Sequence, residues 1–190
     1  MGTAAFSCSC GQVKGRVHAA PEKGTHLECF CPSCRAGARY CGAELTSDQP
    51  LDLYLTTPEH VELTEGRAQL APFVFSPKGI VRWQAKCCGV QVFSSQPNPK
   101  TAFMSVTADR FENRADLGPV VTQSFIPKGN GKTKHKGIWP LVKLVFRALG
   151  ASASGKWRKT PLYDVTTLKP IVEPTLISRE KKAELLAAQP

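Results

Sequence analysis

No stretch of this chain is long and apolar enough to span a bilayer. The longest, Ile138 to Leu149, falls short of the roughly 20 residues a spanning helix needs and carries Lys143 and Arg147. The opening residues, Met1-Gly2-Thr3-Ala4-Ala5-Phe6, lack the basic segment and following apolar run of an export signal. Phe6 also stands where N-myristoylation wants Ser or Thr. A soluble, cytoplasmic protein with no membrane span is therefore the expectation. Gly131-Lys132-Thr133 lacks the earlier glycine that a phosphate loop requires, since Ile126 occupies that position, so that motif is excluded. No Ser/His/Asp ordering, no carboxylate pair and no internal repeat stands out. Acids are absent from Leu117 to Tyr163, where nine Lys and Arg fall; the rest of the chain holds sixteen bases against fifteen acids. The net charge of +10 is therefore a property of one segment, which suits either an anionic partner or a solvated basic face.

What the chain has in quantity is cysteine, eight of them, at Cys8, Cys10, Cys29, Cys31, Cys34, Cys41, Cys87 and Cys88. They read C-x-C, C-x-C-x-x-C, a lone Cys and C-C. Short spacings on turns that return from distant parts of a chain are how thiolate shells form around zinc. The alternative, a secreted disulfide scaffold, fits poorly with the chain length, the lack of an export signal and two adjacent cysteines. In Cys29-Phe-Cys-Pro-Ser-Cys34, the first two sulfurs share one strand face by the period of two, and Cys34 comes round on the following turn. Such a set is either an open three-thiolate site or one closed by a fourth ligand, with Cys41 the nearest cysteine. Cys8-Ser-Cys10-Gly11 and Cys87-Cys88-Gly89 form a second group. Adjacent residues on a strand face opposite ways, so either a turn brings both Cys87 and Cys88 to one closed site or the two diverge. His26 precedes the second cysteine group and is a weaker candidate ligand.

Hydrophobic content, 42%, is ordinary for a globular protein, and 190 residues allow one domain with an appendage. Short strand-like runs are expected at 12–18, 25–31, 51–55, 61–65, 73–75, 80–84 and 90–93, broken by Pro and Gly. They imply a mainly β, antiparallel domain over residues 1–115. A short helix is expected from Cys34 to Tyr40. Residues 116–190 then form a basic extension packing on that domain. It contains a Lys/Gly loop, a helix from Trp139 to Leu149 stopped by Gly150, and a final helix capped by Ser178. The 128–159 segment, with Lys132-Thr-Lys-His-Lys136 near Trp139 and Trp157, is a candidate contact for nucleic acid. The 138–149 helix can instead rest on a membrane surface, pack on the β domain or meet a second copy in a homodimer.

Three stretches together resemble the glutathione-dependent formaldehyde-activating enzyme family, which includes the centromere protein V type domain. They are Cys8-Ser-Cys-Gly-Gln-Val13, Cys29-Phe-Cys-Pro-Ser-Cys-Arg35 and Arg82-Trp-Gln-Ala-Lys-Cys-Cys-Gly89, and the likeness covers roughly residues 5 to 95. The resemblance implies a tent of antiparallel sheets around two zinc ions. By it, Cys29, Cys31 and Cys34 match the catalytic zinc ligands, and Cys8, Cys10 and Cys88 match three structural ligands. The family's fourth structural cysteine falls at Ala85, and Cys87 stands in for it. Phe30 occupies a place where His is common, and Val90 one where Thr is frequent. The implied activity is that of a carbon–sulfur lyase acting on a thiol–aldehyde adduct such as S-hydroxymethylglutathione, with glutathione as the thiol. Arg35 and Arg82 are then the candidate partners for its carboxylates. A zinc-stabilised binding module, whose basic segment meets nucleic acid or another anionic partner, is the alternative.

Overall fold

In the computed structural model, which describes residues 2–46 and 48–187, the chain is mainly β with three helices. The chain opens with β1 (Gly2–Ser7), which pairs antiparallel with β2 (Lys14–Ala20), and β2 in turn pairs with β5 (Val61–Glu65). In β2, Gly15 and Val17 are buried while Lys14, Arg16 and His18 face solvent, the alternation of a half-buried strand, which ends at the buried Ala20. The expected 12–18 strand therefore exists, shifted by two residues. Its partner β1 carried too few β-branched residues to be foreseen.

The second sheet is large. It runs β11 (Thr133–Lys136), β10 (Thr122–Pro127), β3 (Thr25–Cys29), β4 (Leu51–Thr56), β9 (Met104–Thr107), β8 (Gln91–Ser95), β7 (Val81–Ala85), β6 (Leu70–Val74) and β12 (Thr175–Leu176). Neighbours are antiparallel except at two places, where β10 runs parallel to β3 and β12 parallel to β6. The segment beyond residue 116 thus supplies strands at both ends of the sheet and is continuous with it. The helices are α1 (Pro32–Tyr40), α2 (Ile138–Ala153) and α3 (Arg179–Ala187). Pro32 opens α1 two residues before the expected start, in the first turn where its missing N–H costs nothing. Gly150 does not stop α2, which continues to Ala153. The Ser178 hydroxyl accepts from the Lys181 N–H at 3.1 Å and caps α3 as expected.

Two faces of the large sheet are buried differently. On one, Phe6 of the small sheet packs edge-on against Phe93 and Phe111 at 5.3 and 6.0 Å, with Val13, Tyr54, Trp83 and Val106 completing the core. On the other, Leu27, Cys29, Leu51, Leu53 and Leu55 meet Leu144 of α2. These residues alternate along β3 and β4 with polar groups aimed at the opposite face, which is why one strand pair can serve both layers. The late segment is tied in by a buried chain of hydrogen bonds. Trp83 donates to Ser95 Oγ at 3.0 Å, Ser95 meets the Tyr163 hydroxyl at 2.9 Å, and Tyr163 donates to the Gln96 carbonyl at 2.6 Å.

Candidate metal centre and thiol cavity

The β1–β2 turn and the β7–β8 turn present their cysteines to one another. Cys8 Sγ lies 3.6 Å from Cys10 Sγ and 3.7 Å from Cys87 Sγ, and Cys87 Sγ lies 4.0 Å from Cys88 Sγ. All four sulfurs fall within 4.8 Å of one another. A tetrahedron of thiolates at a zinc–sulfur length of about 2.3 Å has sulfur–sulfur edges of about 3.8 Å, so the donor set and its spacing fit one ion. Cys8, Cys10, Cys87 and Cys88 therefore form a cluster able to hold a metal. The vicinal pair reaches one site because the chain turns over Ala85 to Gly89, where Cys88 N–H and Gly89 N–H both donate to the Ala85 carbonyl at 3.2 and 2.7 Å. Gly11 and Gly89 close the two turns at φ near +75° and +77°, a conformation that side-chain-bearing residues resist. Ala85 itself is fully buried in β7, and it is Cys87, two residues on, that joins the cluster. Burial opposes ionisation of Cys8, yet donation from Val13 N–H and from the Cys10 and Cys87 thiols outweighs it and pulls the thiol down to about 6. A sulfur so disposed is readily a thiolate, the form that binds metal.

Cys29, Cys31 and Cys34 line a separate cavity; among the described residues, only the Cys8/Cys10/Cys87/Cys88 group has all its sulfurs within metal-ligating spacing of one another. Cys29 ends β3, Cys31 precedes α1, and Cys34 lies in its first turn, where Cys34 N–H and Arg35 N–H both donate to the Cys31 carbonyl. Their mutual influence pulls the Cys31 thiol down, through Cys29 first, and pushes the Cys29 thiol up, through Cys31 first, with burial adding to the rise. All three line a cavity of about 510 Å³ beneath α2, whose wall is largely Leu27, Leu51, Leu53, Leu55, Phe103 and Leu144. That volume suits a small-molecule site.

Few polar groups face this cavity. Arg82 is buried, with Nη2 donating to the Ser33 carbonyl at 3.0 Å and to Ser33 Oγ at 2.9 Å, and its guanidinium lies 4.8 Å over the Phe75 ring. Burial lowers its pKa, and the neighbouring Cys34 and Cys31 sulfurs counter that. Gln91 is 5% exposed and its Oε1 has no hydrogen-bond partner, a costly state for a buried acceptor. His135, stacked edge-on against Phe125 at 5.0 Å, contributes from β11.

The remaining sequence candidates lie apart. Cys41 is buried, its thiol faces Gln84 Oε1 at 3.7 Å, and it lines a different cavity, so it does not close the three-thiol set. Arg35 donates to the Thr46 carbonyl at 2.6 Å and does not line the thiol cavity. His26 faces neither cysteine group. Its two ring nitrogens contact Asp52 Oδ1 at 2.9 Å and the Gly118 carbonyl at 2.7 Å, both acceptors. A ring between two acceptors is held as the imidazolium, and the Asp52 bond raises its pKa despite burial. Sequence reasoning missed Gln91 and His135. The only trace of the first is a lone amide amid Val90, Val92 and Phe93, and in the sequence His135 looks like part of a basic loop.

The fold and its sites define a mainly β protein with a four-cysteine cluster able to hold one metal ion and a separate cavity lined by three further cysteines. The chain belongs to a family described as a family of unknown function (DUF6151), which matches residues 2–173. No curated protein matches it. Among solved structures it is similar to a structural-genomics crystal structure of a Rhodobacter sphaeroides protein, with 22% identity and a TM-score of 0.44 over 61% of this chain and 96% of that one.

Proposed function

We propose that the protein is a zinc-dependent carbon–sulfur lyase-like enzyme acting on a thiol–aldehyde adduct at the Cys29/Cys31/Cys34 cavity. The observation that carries this reading is that three cysteines line one cavity beside a buried cation, while Cys41 lines a different one. Its motif resemblance to the formaldehyde-activating family supports it. Two zinc ions are proposed: one held by Cys8, Cys10, Cys87 and Cys88 as a structural brace, the other by Cys29, Cys31 and Cys34. At the second, zinc would supply a positive charge that keeps a substrate thiol deprotonated near neutral pH.

The chain's own residues would do the rest. Arg82 places a fixed positive charge beside the sulfurs, suited to a carboxylate of the thiol substrate. Gln91 Oε1 offers an acceptor for a substrate hydroxyl or amide N–H, which would satisfy it. The leucine wall excludes water from the reacting carbon and favours the intact adduct. In the forward direction the thiol sulfur bonds to the aldehyde carbon, the C=O π bond breaks, and the thiol proton ends on the new hydroxyl. The lyase direction reverses each change. Glutathione fits as the thiol because it carries both carboxylates and amides.

The test is the rate of adduct formation and breakdown from glutathione and an aldehyde, followed by NMR exchange, with the unaided reaction subtracted. Wild type is expected to accelerate exchange, and Cys34→Ser to remove the acceleration while the protein stays folded. An unchanged rate in Cys34→Ser would sink the assignment.

A further inference from the structure

Helix α2 is apolar on both faces. Leu144 and Ala151 are buried against the sheet, while Ile138, Trp139, Val145, Phe146 and Leu149 are exposed, Trp139 and Phe146 by 76% and 69%. At 100° per residue these five lie within an arc of about 120° on the outward side. A helix hydrophobic all round is ordinarily covered on all sides, so this stripe calls for a partner.

Charge says which partner. The hairpin leading into α2 exposes Lys128, Lys132, Lys134 and Lys136, and Lys143 is exposed on α2 itself. None of these five forms an ion pair with any described residue. No acid occurs between Leu117 and Tyr163. A second copy meeting this face about a two-fold axis would set the same basic surface against itself, which like-charge repulsion opposes. Nucleic acid would satisfy the lysines but offers no apolar surface for Ile138, Val145 and Leu149. An anionic lipid surface satisfies both, with lysines at the headgroups and the stripe in the acyl boundary.

We propose that α2 and the β10–β11 hairpin form a peripheral docking surface for anionic membranes. Trp139 sits at the head of the stripe, where an indole suits the interface between headgroup and acyl chain. Val145, Phe125 and His135 belong to this exposed side and also line the thiol cavity, so docking covers that side of the cavity with lipid. The proposal does not depend on the lyase reading, because the docking surface contains none of the cysteines.

Intrinsic fluorescence tests it on the full chain. Trp83 and Trp157 are buried, so a change in emission on binding reports Trp139. Mixed phosphatidylcholine–phosphatidylserine vesicles are expected to sediment the protein and shift its emission to the blue, an effect reduced by salt and by pure phosphatidylcholine. Phe146→Glu, at an exposed site that leaves folding intact by circular dichroism, is expected to abolish sedimentation. Combined Lys132→Glu, Lys134→Glu and Lys136→Glu should weaken partition about a hundredfold or more, given about tenfold or less per charge removed and a further loss on reversal. Folded wild type that stays in solution with the anionic vesicles overturns the proposal. So does a blue shift that rises with protein concentration alone, which would assign the stripe to a second copy. Binding of duplex DNA without vesicle binding also overturns it.

Discussion

Gly37, in the middle of α1, is a position where helix propensity and packing give opposite answers. Replacing a helical Gly by Ala favours the helix by about 1 kcal/mol on propensity alone. Here a Cβ would stand 2.4 Å from both Cδ and Nε of Arg82. Arg82 has little room to yield. It is 3% exposed, lies over Phe75, and spends Nη2 on two bonds to Ser33 and Nη1 on the Ile80 carbonyl at 3.3 Å. Moving it breaks at least the two Ser33 bonds, and a hydrogen bond involving a charged group is worth about 1.5–3 kcal/mol. The loss of about 3 kcal/mol or more exceeds the propensity gain, leaving a net destabilisation of at least about 2 kcal/mol. For a chain of this size that lowers Tm by roughly 4–8 °C. Calorimetric melts of wild type and Gly37→Ala measure it directly. In an Arg82→Ala background the clash is gone, so Gly37→Ala should there be neutral or stabilising, and the two changes should not add. A Gly37→Ala protein that melts at or above wild type would show that Arg82 moves freely and would refute its role as a fixed charge in the cavity.

Two further outcomes are expected. Cys88→Ser removes one of four sulfurs from the metal cluster and should lower the metal content by about one ion per chain by elemental analysis. It should also cost more Tm than Gly37→Ala, because binding at a structural thiolate site is itself folding free energy; unchanged content would dismiss the cluster as a metal site. His26 has a raised folded-state pKa, so its contribution to stability is fully present below its unfolded value of 6.5 and is lost as pH rises through the folded value. Wild type should therefore lose stability relative to His26→Gln from about pH 6.5 upward, whereas a constant difference between the two across that range would mean that His26 is not held as the imidazolium.

The strands that were readable in the sequence are those whose alternation is decided by one sheet face, as in β2, or by a leucine repeat, as in β4. Strands β9 and β10 left little trace. β9 is only four residues long, so the alternation of Met104-Ser-Val-Thr107 is too short to single it out, and its polar residues are buried as well. β10 pairs in parallel with β3, nearly a hundred residues earlier, and no local pattern records a pairing so remote. The cysteine groups were readable because metal chemistry demands particular residues at short spacings. What the spacing did not decide was whether Cys87 and Cys88 converge; that is settled by the turn over Ala85 to Gly89, whose backbone geometry reverses the strand rule for adjacent residues. Of the cavity's polar groups, Arg82 was a candidate from its place beside the third cysteine motif, but Gln91 was not. It sits at the start of β8 with nothing local to mark it, and it joins Arg82 only once β7 and β8 pair and α1 lies across them.

That arrangement links the two cysteine sets mechanically. The turn joining β7 to β8 carries Cys87 and Cys88, and the same two strands deliver Arg82 and Gln91 to the thiol cavity. An ion held by Cys87, Cys88, Cys8 and Cys10 would fix the far end of this hairpin against the small sheet. Its register with β6 and β9 is then set from both sides, and the hairpin has little freedom to slide. Cation and amide are thereby held from the sheet side, while Cys31 and Cys34 are held from α1. The two sets of groups meet where Gly37 lets Arg82 lie close against the helix. The geometry thus divides the labour between one cluster that sets the frame and a cavity whose charged and polar groups depend on that frame for their placement.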